Sequence, residues 1–240
     1  MNTMSKFALA GVAVFLLSSC SSQGTIASLE DDSIDAEEST LQFDNLDHGQ
    51  VRTEYEELID LVDDEYLKEQ IRRRIAGVNM QEAGDDQAKL APKQGYYRNA
   101  IASYVDILEK YPNSPDNAEV LYQLAKAYDM EGDTNNARLM MERLVRGHPD
   151  YSANPEAYFR LGDIYFSRNW YSKAEKAYSK TSSHEGGKLV LNAHYMMAWS
   201  QYKQGKYNKA LDNLATVLND LLTAEISGRK LTSIESHLIK

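Results

Sequence analysis

Few side chains in this chain could do chemistry, and the most reactive is a single thiol. Cys20 is the only cysteine and follows Leu17-Ser18-Ser19 directly behind an apolar run. Its thiolate is the one strong side-chain nucleophile the sequence offers near neutral pH, which makes Cys20 the candidate for covalent modification. The histidines are His48, His148, His184, His194 and His237. None stands beside another histidine or a cysteine at metal-ligand spacing, which argues against a zinc site. There is no glycine-rich phosphate loop and no nucleophile elbow. Ser183-His184-Glu185 contains the residue types of a triad, but sequence neighbours rarely reach triad geometry. The expectation is a chain that is not an enzyme and has no cofactor and no metal.

The thiol must be placed by what precedes it. Lys6 supplies a positive start, Phe7 to Leu17 an apolar stretch, and Ser18 and Ser19 small residues. This is the layout of a secretory signal peptide, and the apolar run is short of the roughly 20 residues that span a bilayer. Leu17-Ser18-Ser19-Cys20 resembles the bacterial lipobox. That resemblance implies diacylglycerol on the Cys20 sulfur, cleavage before it and acylation of the new amine. One acyl chain anchors reversibly and several hold firmly. Ser21 stands where an aspartate would resemble an inner-membrane retention signal, so the resemblance implies the periplasmic face of the outer membrane.

From Ser21 to Gln50 there is no Lys or Arg. Glu30, Asp31, Asp32, Asp35, Glu37, Glu38, Asp44 and Asp47 supply eight negative charges. The whole chain stands at −10; without Lys6 it is −11, so residues 51–240 hold only −3. Low hydrophobicity with one sign of charge predicts a disordered tether, spanning about 30 Å when flexible. An acidic docking segment for a basic partner is the other reading. Leu41, Phe43 and Leu46 are placed to pack onto the first helix.

Behind the tether the pattern repeats. Gly95, Gly132, Asn169 and Gly205 lie 37, 37 and 36 residues apart, and Ala100, Ala137, Ala174 and Ala210 each follow five residues later. Gly and Asn tolerate the left-handed conformation that ends a helix. Alanine allows the next helix to approach closely. Tyr97, Tyr171 and Tyr207 recur in register, as do Tyr104, Met141, Tyr178 and Leu214, and Pro112 and Pro149 close two units. Amphipathic periodicity predicts helices over Val120–Met130, Ala157–Arg168 and Ala193–Lys203 before the turns. It predicts others over Thr134–Arg146, Ser172–Thr181 and Tyr207–Leu222 after them. Upstream, Thr53–Val62, Tyr66–Met80 and Tyr96–Tyr111 read as further helices. Arg72-Arg73-Arg74 fan around about 200° of a helix. They form no stripe, so a solvated face is expected and no nucleic acid partner.

These registers resemble the tetratricopeptide repeat. Tyr158-Phe159-Arg160-Leu161-Gly162-Asp163-Ile164-Tyr165, then Ala174 and Tyr178, fit most of that motif. Leu121, Leu124, Ala125, Tyr128, Ala137 and Pro149 fit in the preceding unit. In the last unit Ala198 and Ala210 fit, while Gln201 stands where an aromatic is usual and Tyr202 follows it. The spacing exceeds the common 34 residues, so loops such as Asp150–Asn154 absorb the excess. Gly186-Gly187 replaces a closing proline. The resemblance implies an all-α, right-handed α-solenoid of helix-turn-helix repeats. The expected organisation is a signal peptide at 1–19, a lipidated cysteine and acidic tether at 20–50, and N-terminal helices at 51–92. The solenoid follows at 93–222, then a C-terminal helix or the start of further repeats at 223–240. In that last segment Leu231, Ile234, Leu238 and Ile239 make one apolar face.

In this family the front helix of each unit lines a concave groove. By register the groove positions are Tyr122, Phe159 and Tyr195; Lys126, Asp163 and Trp199; and Asp129, Phe166 and Tyr202. Recurring aromatics fit either a groove surface or gaps between helices, and Trp199 and Tyr202 are the best groove candidates. A lipobox followed by such repeats is similar to Gram-negative envelope proteins of the BamD and YbgF/CpoB types, or to the N-terminal part of a longer repeat lipoprotein. Tyr111-Pro112-Asn113-Ser114-Pro115 and the Ala-rich helix pairs carry the likeness, and the long acidic tether departs from it. The implied function is a membrane-anchored scaffold for an envelope protein or peptide. The alternative is a cell-wall or exopolysaccharide binding or export accessory module, since aromatic faces stack on sugars. Partner identity and oligomeric state stay open.

Overall fold

Nine helices and no strand occur among the described residues, which are 47–89, 95–184 and 189–230 of a computed structural model. The expected signal peptide and tether up to residue 46, Cys20 among them, Glu185 to Lys188, and the segment holding Leu231, Ile234, His237, Leu238 and Ile239 lie outside them. The chain divides into two units, Met1–Asp44 and Asn45–Lys240, and the helices belong to the second. They are α1 (His48–Leu61), α2 (Glu65–Lys89), α3 (Arg98–Lys110), α4 (Asn117–Met130) and α5 (Thr134–Gly147), then α6 (Asn154–Ser167), α7 (Tyr171–Ser182), α8 (Val190–Lys203) and α9 (Tyr207–Ile226). Each packs chiefly on the helix before it and the helix after it.

The turns obey the repeat. Gly95, Gly132, Asn169 and Gly205 take φ of 105°, 86°, 62° and 73°, and Asn169 is the one non-glycine residue with positive φ among the described residues. After three of them the same bond closes the turn: Asp133 N–H donates to Tyr128 O at 2.8 Å, Trp170 N–H to Tyr165 O at 2.8 Å, and Lys206 N–H to Gln201 O at 2.9 Å. This is the six-to-one hydrogen bond of a Schellman turn, which needs the left-handed residue at that place. The four alanines are all buried.

Most helices outrun their expected bounds, α4, α6 and α8 by three residues at the start and α9 by four at the end, and α1 and α2 by more. α1 begins at His48 rather than Thr53 because Asp47 caps it: its carboxylate accepts from Gln50 N–H at 2.8 Å while the Gln50 side chain accepts from Asp47 N–H at 3.0 Å. Such a box satisfies two of the free donors at a helix start. α2 continues past Met80 to Lys89. Its last turns are held by tertiary contacts: Ala83 is buried against Tyr97 and Ala127, and the Tyr97 hydroxyl donates to Gln87 at 2.8 Å.

A buried asparagine recurs at a position that helix periodicity does not mark. Asn117 Nδ2 donates to Tyr111 O at 2.7 Å, and Asn154 Nδ2 donates to His148 O and Pro149 O at 2.7 and 2.8 Å. Each starts a front helix and ties it to carbonyls at the end of the helix before it, where Tyr111 O and His148 O also accept from Ser114 N–H and Tyr151 N–H, both at 3.2 Å. Arg72 and Arg73 correct the expected solvated face. Arg73 lies against Glu69 at 2.5 Å and donates to Asp116 O at 2.9 Å, and Arg72 reaches Asp106 at 3.5 Å. Only Arg74 of the three is exposed.

Candidate partner-binding groove

The first two units use most of their groove positions internally. Tyr122 is 7% exposed and packs in the core with Leu121 and Leu124, its ring 6.0 Å from that of Tyr151. Burial, then the bond to Glu156, pushes its phenol up to about 12. It therefore belongs to the core and offers little contact surface. Lys126 Nζ sits 5.5 Å above the Tyr122 ring, and Asp129 faces Arg160 at 3.7 Å, which also holds Glu156 at 2.8 Å. Phe159 is half-buried and meets Tyr178 edge-on at 5.5 Å; Phe166 meets Tyr171 edge-on at 5.3 Å. Asp163 reaches solvent and accepts from the Tyr178 hydroxyl at 2.7 Å. Protein crowded around it raises its carboxyl above the ordinary value, although that hydroxyl and Arg160 oppose the rise.

The third unit differs. Tyr195 is half-buried, but Trp199 is 42% and Tyr202 53% exposed, and Tyr207 at the start of α9 is 59% exposed. The four rings touch in sequence, with centroids 6.3, 5.8 and 5.6 Å apart. Beside them opens a cavity of about 390 Å³ lined by Ala198, Trp199, Tyr202, Ala210, Leu211 and Leu214, with Tyr207. The apolar stripe runs on through exposed Leu218, Leu222 and Ile226.

The α9 part of this surface was missed in the sequence. Residues 207, 211, 214, 218 and 222 recur at three- and four-residue steps, which is a core signal as readily as a surface one. Leu211 holds the register of Glu175, whose carboxylate accepts from Gln201, Gln204 and Lys206 of the next unit at 3.1, 2.9 and 2.7 Å. In α9 the position that is polar in α7 has become apolar and open. Leu214, in register with the buried Tyr104, Met141 and Tyr178, is 40% exposed.

The other candidate chemistry is occupied by structure. Ser183 Oγ and His184 Nδ1 both lie 2.9 Å from Lys180 O, at the end of α7. His48 pairs with Asp85 at 3.1 Å and His194 with Asn213 at 2.7 Å. Among the described residues no group of three His, Cys, Asp or Glu side chains could hold a metal ion, and no helix is long and apolar enough to cross a membrane.

Two family models match parts of the chain. One, described as an outer membrane lipoprotein (YfiO), matches residues 85–172; the other, described as anaphase-promoting complex, cyclosome, subunit 3, matches residues 130–217. No curated protein matches significantly. Among solved structures, one crystal structure of MamA superposes with a TM-score of 0.54 at 20% identity, covering 72% of this chain and 88% of that one. A second MamA crystal structure gives 0.52 at 19% identity, covering 77% and 99%. At such identities the likeness concerns the fold. Repeat register, turn geometry and these superpositions agree, and the fold is an all-helical α-solenoid of tetratricopeptide-like helix-turn-helix repeats.

Proposed function

We propose that this protein is a non-catalytic scaffold that captures an envelope protein through the aromatic surface at the junction of α8 and α9. The observation that carries the reading is the row Tyr195, Trp199, Tyr202 and Tyr207, leading into the open apolar cavity before Leu211 and Leu214. Exposed aromatics offer large contact area at low entropy cost and dominate binding hot spots. A row of rings beside an apolar slot suits the apolar face of a partner helix or an extended peptide with spaced large side chains. Phe159, Asp163 and Phe166 of the preceding unit extend the surface with two half-buried rings and one exposed carboxylate.

Anchoring belongs to the same reading. Lipid on Cys20 and the acidic segment after it would hold the solenoid at the periplasmic face of the outer membrane. The lipobox sequence and the match to an outer membrane lipoprotein model support this.

Photo-crosslinking in cells from position 199 or 202, against position 139 on α5, tests the groove. A discrete protein adduct from 199 and 202 that is absent from 139 is expected. Equal yields from all three, or sedimentation with peptidoglycan that depends on Trp199, would overturn it, the latter in favour of the glycan reading. Cys20→Ser should release the chain from the membrane fraction, and retention would remove the anchor.

A further inference from the structure

A second surface, built from different side chains, carries a chemistry of its own. Lys173, Lys176 and Lys180 stand at i, i+3 and i+7 on α7, so they share one helix face, and all three are exposed. They border a cleft of about 850 Å³ that also takes in Arg146 of α5 and Lys206 and Lys209 at the start of α9. Two carboxylates line the same cleft, and both are engaged. Glu142 accepts from the Tyr165 hydroxyl at 2.6 Å and from Arg138 at 2.7 Å. Glu175 is held by Lys206 at 2.7 Å together with Gln201 and Gln204.

Lys206 is thus committed to Glu175, and Lys173 stands over the Trp170 and Tyr165 rings at 4.8 and 5.6 Å. Arg146, Lys176, Lys180 and Lys209 make no ion pair among the described residues. Four free cations around one cleft run against a chain whose formal charge is −10. Lys176 and Lys180 are a like-charge pair at i, i+4 on α7, whose repulsion an anionic ligand would relieve. Part of the lining is apolar and less exposed than the lysines: Val145 is half-buried and Leu161, Ala177 and Met197 are buried.

We infer that this cleft is a docking site for an acidic amphipathic segment of a partner protein. Its carboxylates would meet the lysine rim and its apolar side chains the apolar lining. A flat anionic bilayer would touch the ammonium groups without reaching Val145 and Met197, so their burial favours a peptide. Charge at the rim steers encounter and makes binding sensitive to salt.

The test uses the full chain and a fluorescein-labelled designed helical peptide with glutamates on one face and leucines on the other. Its twin with lysine for glutamate and phosphatidylglycerol vesicles are run beside it. The acidic peptide should bind, weaken as salt rises, and lose at least about tenfold in affinity with Lys176→Glu/Lys180→Glu. Lys89→Glu and Trp199→Ala/Tyr202→Ala should leave it unchanged; far-UV circular dichroism verifies that each variant is folded. Equal loss in Lys89→Glu, equal binding of the twin, or no binding would overturn the site. So would vesicle binding that depends on Lys176 and Lys180 without peptide binding. Because the aromatic variant is a separate arm, failure here leaves the groove reading intact.

Discussion

Gly162 and Tyr178 share one space: the tyrosine ring of α7 fills the volume that a side chain on the glycine of α6 would need. A Cβ added at Gly162 would stand 2.6 Å from Tyr178 Cδ1 and 2.7 Å from Cζ. Tyr178 cannot yield, since it is fully buried and its hydroxyl is fixed on Asp163. Gly162→Ala should therefore destabilise the protein by about 1–3 kcal/mol, the range for overpacking a filled core. Urea unfolding would read it, and an unchanged midpoint would show that the helices separate freely.

Burial separates the groove candidates into two kinds. Tyr122→Ala should cost about 3–5 kcal/mol, as deletion of a core aromatic does. Trp199→Ala/Tyr202→Ala should change stability far less, because both rings are open on one side. Thermal melts of the two variants check this, and a large loss in the second would make its rings structural.

The recurring asparagines offer a third measurement. Asn154→Ala removes donors from His148 O and Pro149 O at a buried site. His148 O keeps its bond from Tyr151 N–H while Pro149 O loses its side-chain donor, and a loss of about 1–3 kcal/mol is expected. Asn117→Ala, at the equivalent place, should show a loss of the same order by denaturant titration.

Acid should loosen the solenoid at identifiable points. Burial alone would raise the carboxyls of Glu142, Glu156 and Glu175, but hydrogen bonds outweigh it. Tyr165 and Arg138 act on Glu142, Tyr122 and Arg160 on Glu156, and Lys206, Gln201 and Gln204 on Glu175, so each is held below the ordinary 4.5. Groups lowered on folding contribute stability that is complete above the unfolded value and is lost as pH falls through the folded one. Stability should thus decline below about pH 4.5. Glu175→Gln should flatten that decline in part. Asp163 is raised and acts with the opposite sign, favouring the folded state as it takes up its proton.

The repeat was legible because its turns demand particular residues. Gly95, Gly132, Asn169 and Gly205 occupy backbone that other residues adopt only under strain, and small alanines mark each close approach. Asn169→Ala should accordingly cost about 1–2 kcal/mol. What was not legible depends on contacts between units. The tail of α2 is held by Tyr97, and Arg73 is fixed by the loop at Ser114 and Asp116. Tyr122 and Trp199 are both aromatics at expected groove positions of front helices, yet Tyr151 packs against one and the other stays open. Aromatic periodicity alone could not separate them. Trp170, with Arg138, Arg168 and Lys173 within 6 Å of its ring, was missed because the equivalent turn positions hold Tyr96, Asp133 and Lys206.

Helices that pack mainly on their neighbours in the chain give the molecule a low contact order. Little loop must close before a stabilising contact forms, so folding can begin in any pair of helices and spread by zippering. The same locality sets how damage travels. A cut or a frayed helix weakens the adjoining pair first, and distant pairs feel it only through those between, so the solenoid should come apart from a wound outward rather than all at once.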